Sequence, residues 1–249
     1  MVHTNLYNTL FGKNQKGGNG GNGGNGGNLV SFGKNKNFFK LLDEKKEFLM
    51  LVFANLIVQL GITYYIMENS KNKKEKLDIK MWILLVISLF ALIFVISLEL
   101  PLWLKTIIFT SISSMIGYIL SFLRNRVDPT IIKTAIFGTM GIFGSMFLFG
   151  LTMILFGVEL TQRFGGWLLL LLLLYIIVKI VTLFMGNYST FVKGFLVFGL
   201  GLFSVFIVYD TNQILQKDYY GDFITASMDY YLDIINIFVK LVNLMSLEE

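Results

Sequence analysis

The sequence predicts an all-α membrane protein, a bundle of seven transmembrane helices behind a disordered N-terminal tail. Three observations predict it. Of 249 residues, 55% are hydrophobic and only 15% charged, with a mean hydropathy of +0.67, whereas a soluble domain carries about 25% charged residues. The apolar residues gather into runs near the ~20 residues that cross ~30 Å of hydrocarbon. Between the runs stand short breaks that are Lys-rich, Pro-containing or Gly-containing. Runs this apolar, without short alternating segments, read as helices rather than as a barrel.

The composition also removes function classes. There is no Cys, and the only His is His3 in the polar tail, so disulfide scaffolds, thiol catalysis and Ser–His or His–metal chemistry lack their parts. No catalytic residue and no cofactor is expected. The net charge of +5 does not indicate nucleic acid. Of 21 Lys and Arg, 19 lie in the tail, between apolar runs or within three residues of a run's end, where basic residues flank spans.

Residues 1–47 form the tail. Positions 17–28 read GGN four times; Gly costs most to order and Asn competes with its own backbone, so disorder is expected. No uninterrupted apolar run of the signal-peptide kind is present, so no cleavable leader is expected. The membrane domain, 48–246, divides into runs at 48–67, 79–100, 103–123, 131–156, 167–185, 191–216 and 223–246. The breaks are the Lys-rich 68–78 loop, Pro101, Arg124–Pro129, Glu159–Gly166, Gly186–Ser189 and Lys217–Asp222. Around Pro101, one long kinked segment could imitate two spans. Trp82, Trp103 and Trp167 fall near span ends, where amphipathic rings favour the interface. With the tail on one side, the basic residues divide ten against nine, so charge does not orient the bundle. In the fourth run, Thr134 with Gly138 and Gly141 with Ser145 are small pairs at helical spacing that suit close packing.

Ionisable groups inside spans cost ~2.5–3.5 kcal/mol or more, which makes them functional candidates. The first five runs hold almost no interior acids. Glu99 sits at the Pro101 break, and Lys179 lies close enough to its span end to snorkel. The last two runs differ. Asp210 and Asp233 are each about eleven residues from the turn at Gly221–Asp222, so antiparallel helices place them at similar depth. Depth is set by this argument; facing is not. On the seventh helix Asp229, Asp233, Asn236, Lys240 and Asn243 recur at spacings of 4, 3, 4 and 3. Such a stripe faces the bundle interior or a water-filled path. It is either a polar network that pins the helix or an ion or proton site. Lys240 is near enough to Asp233 to neutralise it. Two close carboxylates in a low dielectric tend to share a proton, and when ionised they offer hard oxygen ligands suited to Ca²⁺.

The run GLFSVFIVYDTNQI followed by FITASMDYYLDIINIF resembles the C-terminal signature of the transmembrane Bax-inhibitor-motif family, proteins like Bax inhibitor-1. FLMLVFANLIVQLGIT in the first span resembles the lifeguard branch, with Phe48, Val52, Leu56, Gln59, Leu60 and Thr63 in register; PLWLKTIIFT through Gly117 and SFL matches loosely. The resemblance covers about residues 44–246. It implies a central seventh helix wrapped by the others, and a pH-sensitive Ca²⁺ leak across an intracellular membrane, the endoplasmic reticulum or Golgi, with restraint of cell death. By position, Asp210 and Asp233 would be the family's di-aspartyl pair, sharing a proton when closed, with Ca²⁺ passing near them. Three positions depart from the family pattern. Asp229 adds a third acid, and Lys240 stands where relatives are uncharged. Lys105 is the nearest match to the basic residues that interact with the pair. With Asn236, these are the candidate modulators. The expected partners are the lipid bilayer, Ca²⁺, protons and membrane proteins, without nucleic acid. The alternatives are a non-conducting membrane interaction protein, an intramembrane hydrolase built on the aspartyl pair, and a seven-helix receptor.

Overall fold

The computed structural model describes residues 29–70, 79–96, 98–182 and 189–247. Their order is α1 (Leu29–Asn69), α2 (Ile79–Ile96), α3 (Leu102–Arg124), α4 (Pro129–Leu155), α5 (Gln162–Thr182), α6 (Ser189–Gln216) and α7 (Phe223–Met245). Among the described residues every regular element is a helix. Residues 1–28, with the GGN repeats, lie outside the described residues, as do 71–78 and 183–188. The chain divides into Met1–Gly33 and Lys34–Glu249; of the first unit only the helical backbone from Leu29 is described.

Each helix has a local cause. α1 begins well upstream of Phe48, the expected start of the first span. Polar pairs at helical spacing, Lys40–Glu44 at 3.7 Å and Asp43–Lys46 at 2.7 Å, extend it beyond the apolar run. Pro101 separates two helices rather than kinking one. With φ −58° and ψ 142° it stands at the N-cap of α3, where its missing N–H costs nothing. Asp128 caps α4 by accepting from the Thr130 N–H at 2.6 Å, with Pro129 in the first turn. That bond holds the exposed Asp128 carboxyl below its ordinary range. Asp222 caps α7 through the Thr225 N–H at 3.0 Å. Tyr220 and Gly221, at φ 50° and 83°, reverse the chain just before it.

Among the described residues, five helices carry a stretch long and apolar enough to cross a membrane: Phe38–Asn69, Leu102–Arg124, Pro129–Leu155, Gln162–Lys179 and Val192–Gln216. Seven such spans are expected from the sequence. α7 falls short in composition because Asp229, Asp233 and Lys240 interrupt it, and half of the side chains of α2 lie outside the described residues. The outward surface is strongly apolar: Phe137, Ile57 and Leu169 are 74%, 69% and 65% exposed. Water does not cover such a surface, and lipid does. Trp103 and Trp167 are exposed at their helix ends, while the side chain of Trp82 lies outside the described residues.

α7 packs against α6, α4 and α3 and hydrogen-bonds to α1. Its buried residues include Tyr230, Tyr231, Asp233, Ile234, Ile237 and Phe238. Neighbouring positions point in different directions on a helix, so α7 is enclosed around most of its circumference. The small pairs of α4 do less than their spacing suggests. Gly138 meets Leu241 of α7, at 3.2 Å from where a Cβ would stand, whereas Thr134, Gly141 and Ser145 are exposed. The tight approach on α4 is made instead by Gly150 against Thr211 of α6, 2.7 Å from the same construction. Spacing identifies a shared face but not the neighbour it meets.

Candidate functional site

The α6–α7 hairpin brings Asp210 and Asp233 together. Their carboxyl groups meet within hydrogen-bonding reach of one another. Asp233 is 5% exposed, and its Oδ2 is buried without a hydrogen-bond partner; Asp210 is half-buried. Two carboxylates both accept hydrogen bonds, and neither donates unless one carries a proton. In a low dielectric their charges also repel. The arrangement is satisfied by a proton held between the two groups, or by a cation in its place.

Towards the hairpin tip, half-buried Asp229 interacts electrostatically with Asp210 and Asp233, and Lys217 with Asp210 and Asp229. The three acids do not converge as a set of metal ligands: among the described residues no group of three such side chains does. Tyr219 closes this end against Phe48 of α1, the two rings tilted with centres 5.6 Å apart, and Lys45 donates to the Lys217 carbonyl at 2.7 Å.

On the other side stands Lys240, 4% exposed. Its Nζ donates to Asn236 Oδ1 at 3.4 Å and lies 4.2 Å from the Phe203 ring centre and 5.2 Å from that of Tyr175. Such rings stabilise a desolvated ammonium. Gly199 of α6 makes the room, since a Cβ there would fall 2.4 Å from Lys240 Cε. Lys240 interacts electrostatically with Asp233 and Lys179. Asn236 and Asn243 return their amides to the carbonyls of Leu232 and Val239 at 2.8 and 2.7 Å. The stripe of α7 therefore faces inward, with an acidic end near the hairpin and a caged cation beyond it.

Lys105 is placed differently from its expected role. Its buried Nζ donates to Asp222 Oδ2 at 2.5 Å and to Thr225 Oγ1 at 3.1 Å. It thus fastens α3 to the start of α7 and does not contact Asp210 or Asp233.

Two polar groupings escape a search for ionisable residues. Gln59, only 1% exposed, donates to Thr110 Oγ1 at 3.3 Å and accepts from Ser113 Oγ at 2.8 Å. Thr63 meets the Tyr231 hydroxyl at 2.6 Å, and Asn55 donates to Ser227 Oγ at 2.6 Å. These bonds tie α1 to α3 and α7. The signal was Gln59 and Thr63, four apart in an apolar run. The second grouping follows Asp210 directly. Asn212 accepts from the Leu160 N–H at 2.8 Å and donates to the Val158 carbonyl at 3.0 Å; Gln213 donates to the Leu160 carbonyl at 2.6 Å. These residues hold the α4–α5 connection against α6, one turn from the acid pair.

A family model described as "Inhibitor of apoptosis-promoting Bax1" matches residues 45–249. Curated relatives agree. A probable Bax inhibitor 1 of Paralichthys olivaceus is 31% identical over 126 residues, 49% of this chain and 51% of its own. Bax inhibitor 1 of Schizosaccharomyces pombe is 28% identical over 142 residues, 56% of this chain and 50% of its own. Protein LIFEGUARD 1 of Arabidopsis thaliana is 40% identical over 45 residues, 18% of this chain and 19% of its own. The matched stretches thus span about half, or less, of the length of these relatives.

Proposed function

The chain belongs to the Bax inhibitor family and is an integral, multi-pass membrane protein; on that premise we propose that it leaks calcium, or regulates its passage, across an intracellular membrane. In this reading it has seven spans behind a disordered tail and resides in the endoplasmic reticulum or Golgi. It works without catalysis and restrains cell death, the role its relatives' names indicate. Asp210 and Asp233 form a proton-sensitive latch beside α7, and calcium passes them as cargo rather than staying as a resident ion.

The observation that carries the reading is the close carboxyl pair of half-buried Asp210 and buried Asp233, with the unpartnered Asp233 Oδ2. A buried acceptor of this kind costs about 1–3 kcal/mol if left unsatisfied, so a proton or a passing cation has a reason to visit it. Removing the proton adds charge and repulsion across the α6–α7 contact, which can bias a helix pair between two arrangements. Asp229 and Lys217 would shift the balance from the hairpin side, and Lys240 from the other.

The test is calcium efflux from liposomes containing the purified chain at several pH values. The wild type should leak at a rate that changes with pH, and Asp210→Asn and Asp233→Asn should each flatten that profile. Retention of the wild-type profile by both variants would overturn the latch. A second reading, a non-conducting interaction protein, is favoured by the closed network of Gln59, Thr63, Ser113 and Tyr231 between α1, α3 and α7. It predicts no efflux from any of the three proteins.

A further inference from the structure

An apolar groove of about 560 Å³ opens between α1, α3, α4 and α7, remote in character from the acid pair. Its walls include Leu60, Gly61, Leu120, Met140, Ile234 and Phe238. Three hydroxyls line it, those of Thr63, Tyr64 and Thr139, and the two threonine hydroxyls are already engaged. Thr139 donates to the Ala135 carbonyl at 2.7 Å, and Thr63 to the Gln59 carbonyl at 3.0 Å. Apart from these hydroxyls and Lys133, the lining is apolar and offers an ion or a file of water no continuous set of partners. Gly61 leaves it open, since a side chain added there would meet nothing within 4 Å.

One charged residue, Lys133, lines the groove. It lies in the second turn of α4, near the end where α1 and α3 also finish. There Arg124 is already neutralised by Glu68 at 2.7 Å. Lys133 is exposed and has no ion pair among the described residues. From Lys133 to Met140 the groove descends seven residues of α4, ~10 Å along the helix axis. A cation at the membrane surface above an apolar slot has the shape of an amphiphile's complement.

We propose that this groove holds one acyl chain of an anionic phospholipid, with its phosphate on Lys133. The volume lies in the ~300–1,000 Å³ range of single-ligand sites. The cation at the end of the slot favours an anionic amphiphile over an apolar helix of a second copy. Basic positions near the surface of a bilayer recognise anionic headgroups. The site stands apart from calcium passage, and its test does not depend on flux.

The experiment is native mass spectrometry of the delipidated full chain in detergent, titrated with phosphatidylglycerol or phosphatidylcholine. The wild type should retain one phosphatidylglycerol in preference to phosphatidylcholine. Lys133→Gln should lose about fivefold of that preference, the contribution of one cation near the surface. Gly61→Leu, which fills the slot, should lose retention of both lipids. Met140→Trp serves as a second filler should Gly61→Leu fold poorly, as judged by circular dichroism. Equal binding of both lipids by the wild type, or an unchanged preference in Lys133→Gln, overturns the headgroup assignment. Wild-type lipid retention in the folded filler variants overturns the groove, and conversion of a dimer to a monomer by them would assign it to a second copy instead.

Discussion

Asp222 makes three contacts in the turn before α7. It accepts from the Thr225 N–H at 3.0 Å and the Thr225 hydroxyl at 2.7 Å, and it pairs with Lys105 at 2.5 Å. Burial alone would push its carboxyl up, but the Lys105 hydrogen bond, the Thr225 bonds and the Lys105 charge together hold it below the ordinary range. The ionised form is therefore the one that folding stabilises. Its contribution is complete above the unfolded value of about 4 and disappears as pH falls through the lower folded value. Asp222→Asn should destabilise by about 3 kcal/mol, the lower end for breaking a buried pair, because Lys105 at 6% side-chain exposure is left as an unpaired charge while Asp222 at 24% is less enclosed. Lys105→Met should cost less, since its abandoned partner reaches water. Thermal unfolding in detergent between pH 3 and pH 7 checks both: each variant should differ from wild type at pH 7, and the gap between Asp222→Asn and wild type should narrow as pH falls.

Among the elements, α1 and α3 approach so closely that Gly117 has no substitute. A Cβ there would stand 2.6 Å from the Thr63 carbonyl oxygen and 3.0 Å from Ile66 Cβ. The first is backbone and cannot swing aside. Gly117→Val should therefore separate the helices at a cost of about 1–3 kcal/mol, typical of overpacking, and lower the unfolding temperature. Tyr231→Phe, on α7 against the same Thr63, removes the 2.6 Å bond between the Tyr231 and Thr63 hydroxyls. Hydrogen bonds between membrane helices average about 0.6 kcal/mol, so that loss should be smaller, and chemical denaturation of the two variants should rank them in this order. The importance of Gly117 was not legible in the sequence, because many glycines occupy apolar runs and neither spacing nor composition tells which one faces a backbone.

For the molecule as a whole, the described bundle extends upstream of the first span. Lys45 bonds to the Lys217 carbonyl and the Phe48 ring meets that of Tyr219, so the part of α1 around the start of the apolar run braces the hairpin that carries the acids. Deleting residues 1–28 should leave efflux and its pH profile unchanged, whereas deleting 1–47 removes Lys45 and should weaken the hairpin. Liposome efflux and unfolding temperature, measured on both truncations, separate these outcomes. An interaction protein acting through its tail would instead lose its activity with the shorter deletion.

Class and depth were readable from residue order alone. A scarcity of charge declares a bilayer, since each buried charge carries its own desolvation cost, and a hairpin of equal arms sets Asp210 and Asp233 at one level. The two acids stood out because nearly everything around them is apolar. Rotation was not readable. Each residue turns a helix by about 100°, and which side chain faces which neighbour depends on how every helix packs at once. Lys105 was read as a partner of the acid pair, yet its partner is Asp222, 117 residues along the chain. Lys240 was read as a counter-charge for Asp233, yet it also needs the gap at Gly199 and rings from two other helices. Composition and period are properties of a segment; the meeting of two carboxyl groups, and the caging of a lysine beside them, belong to the packed bundle.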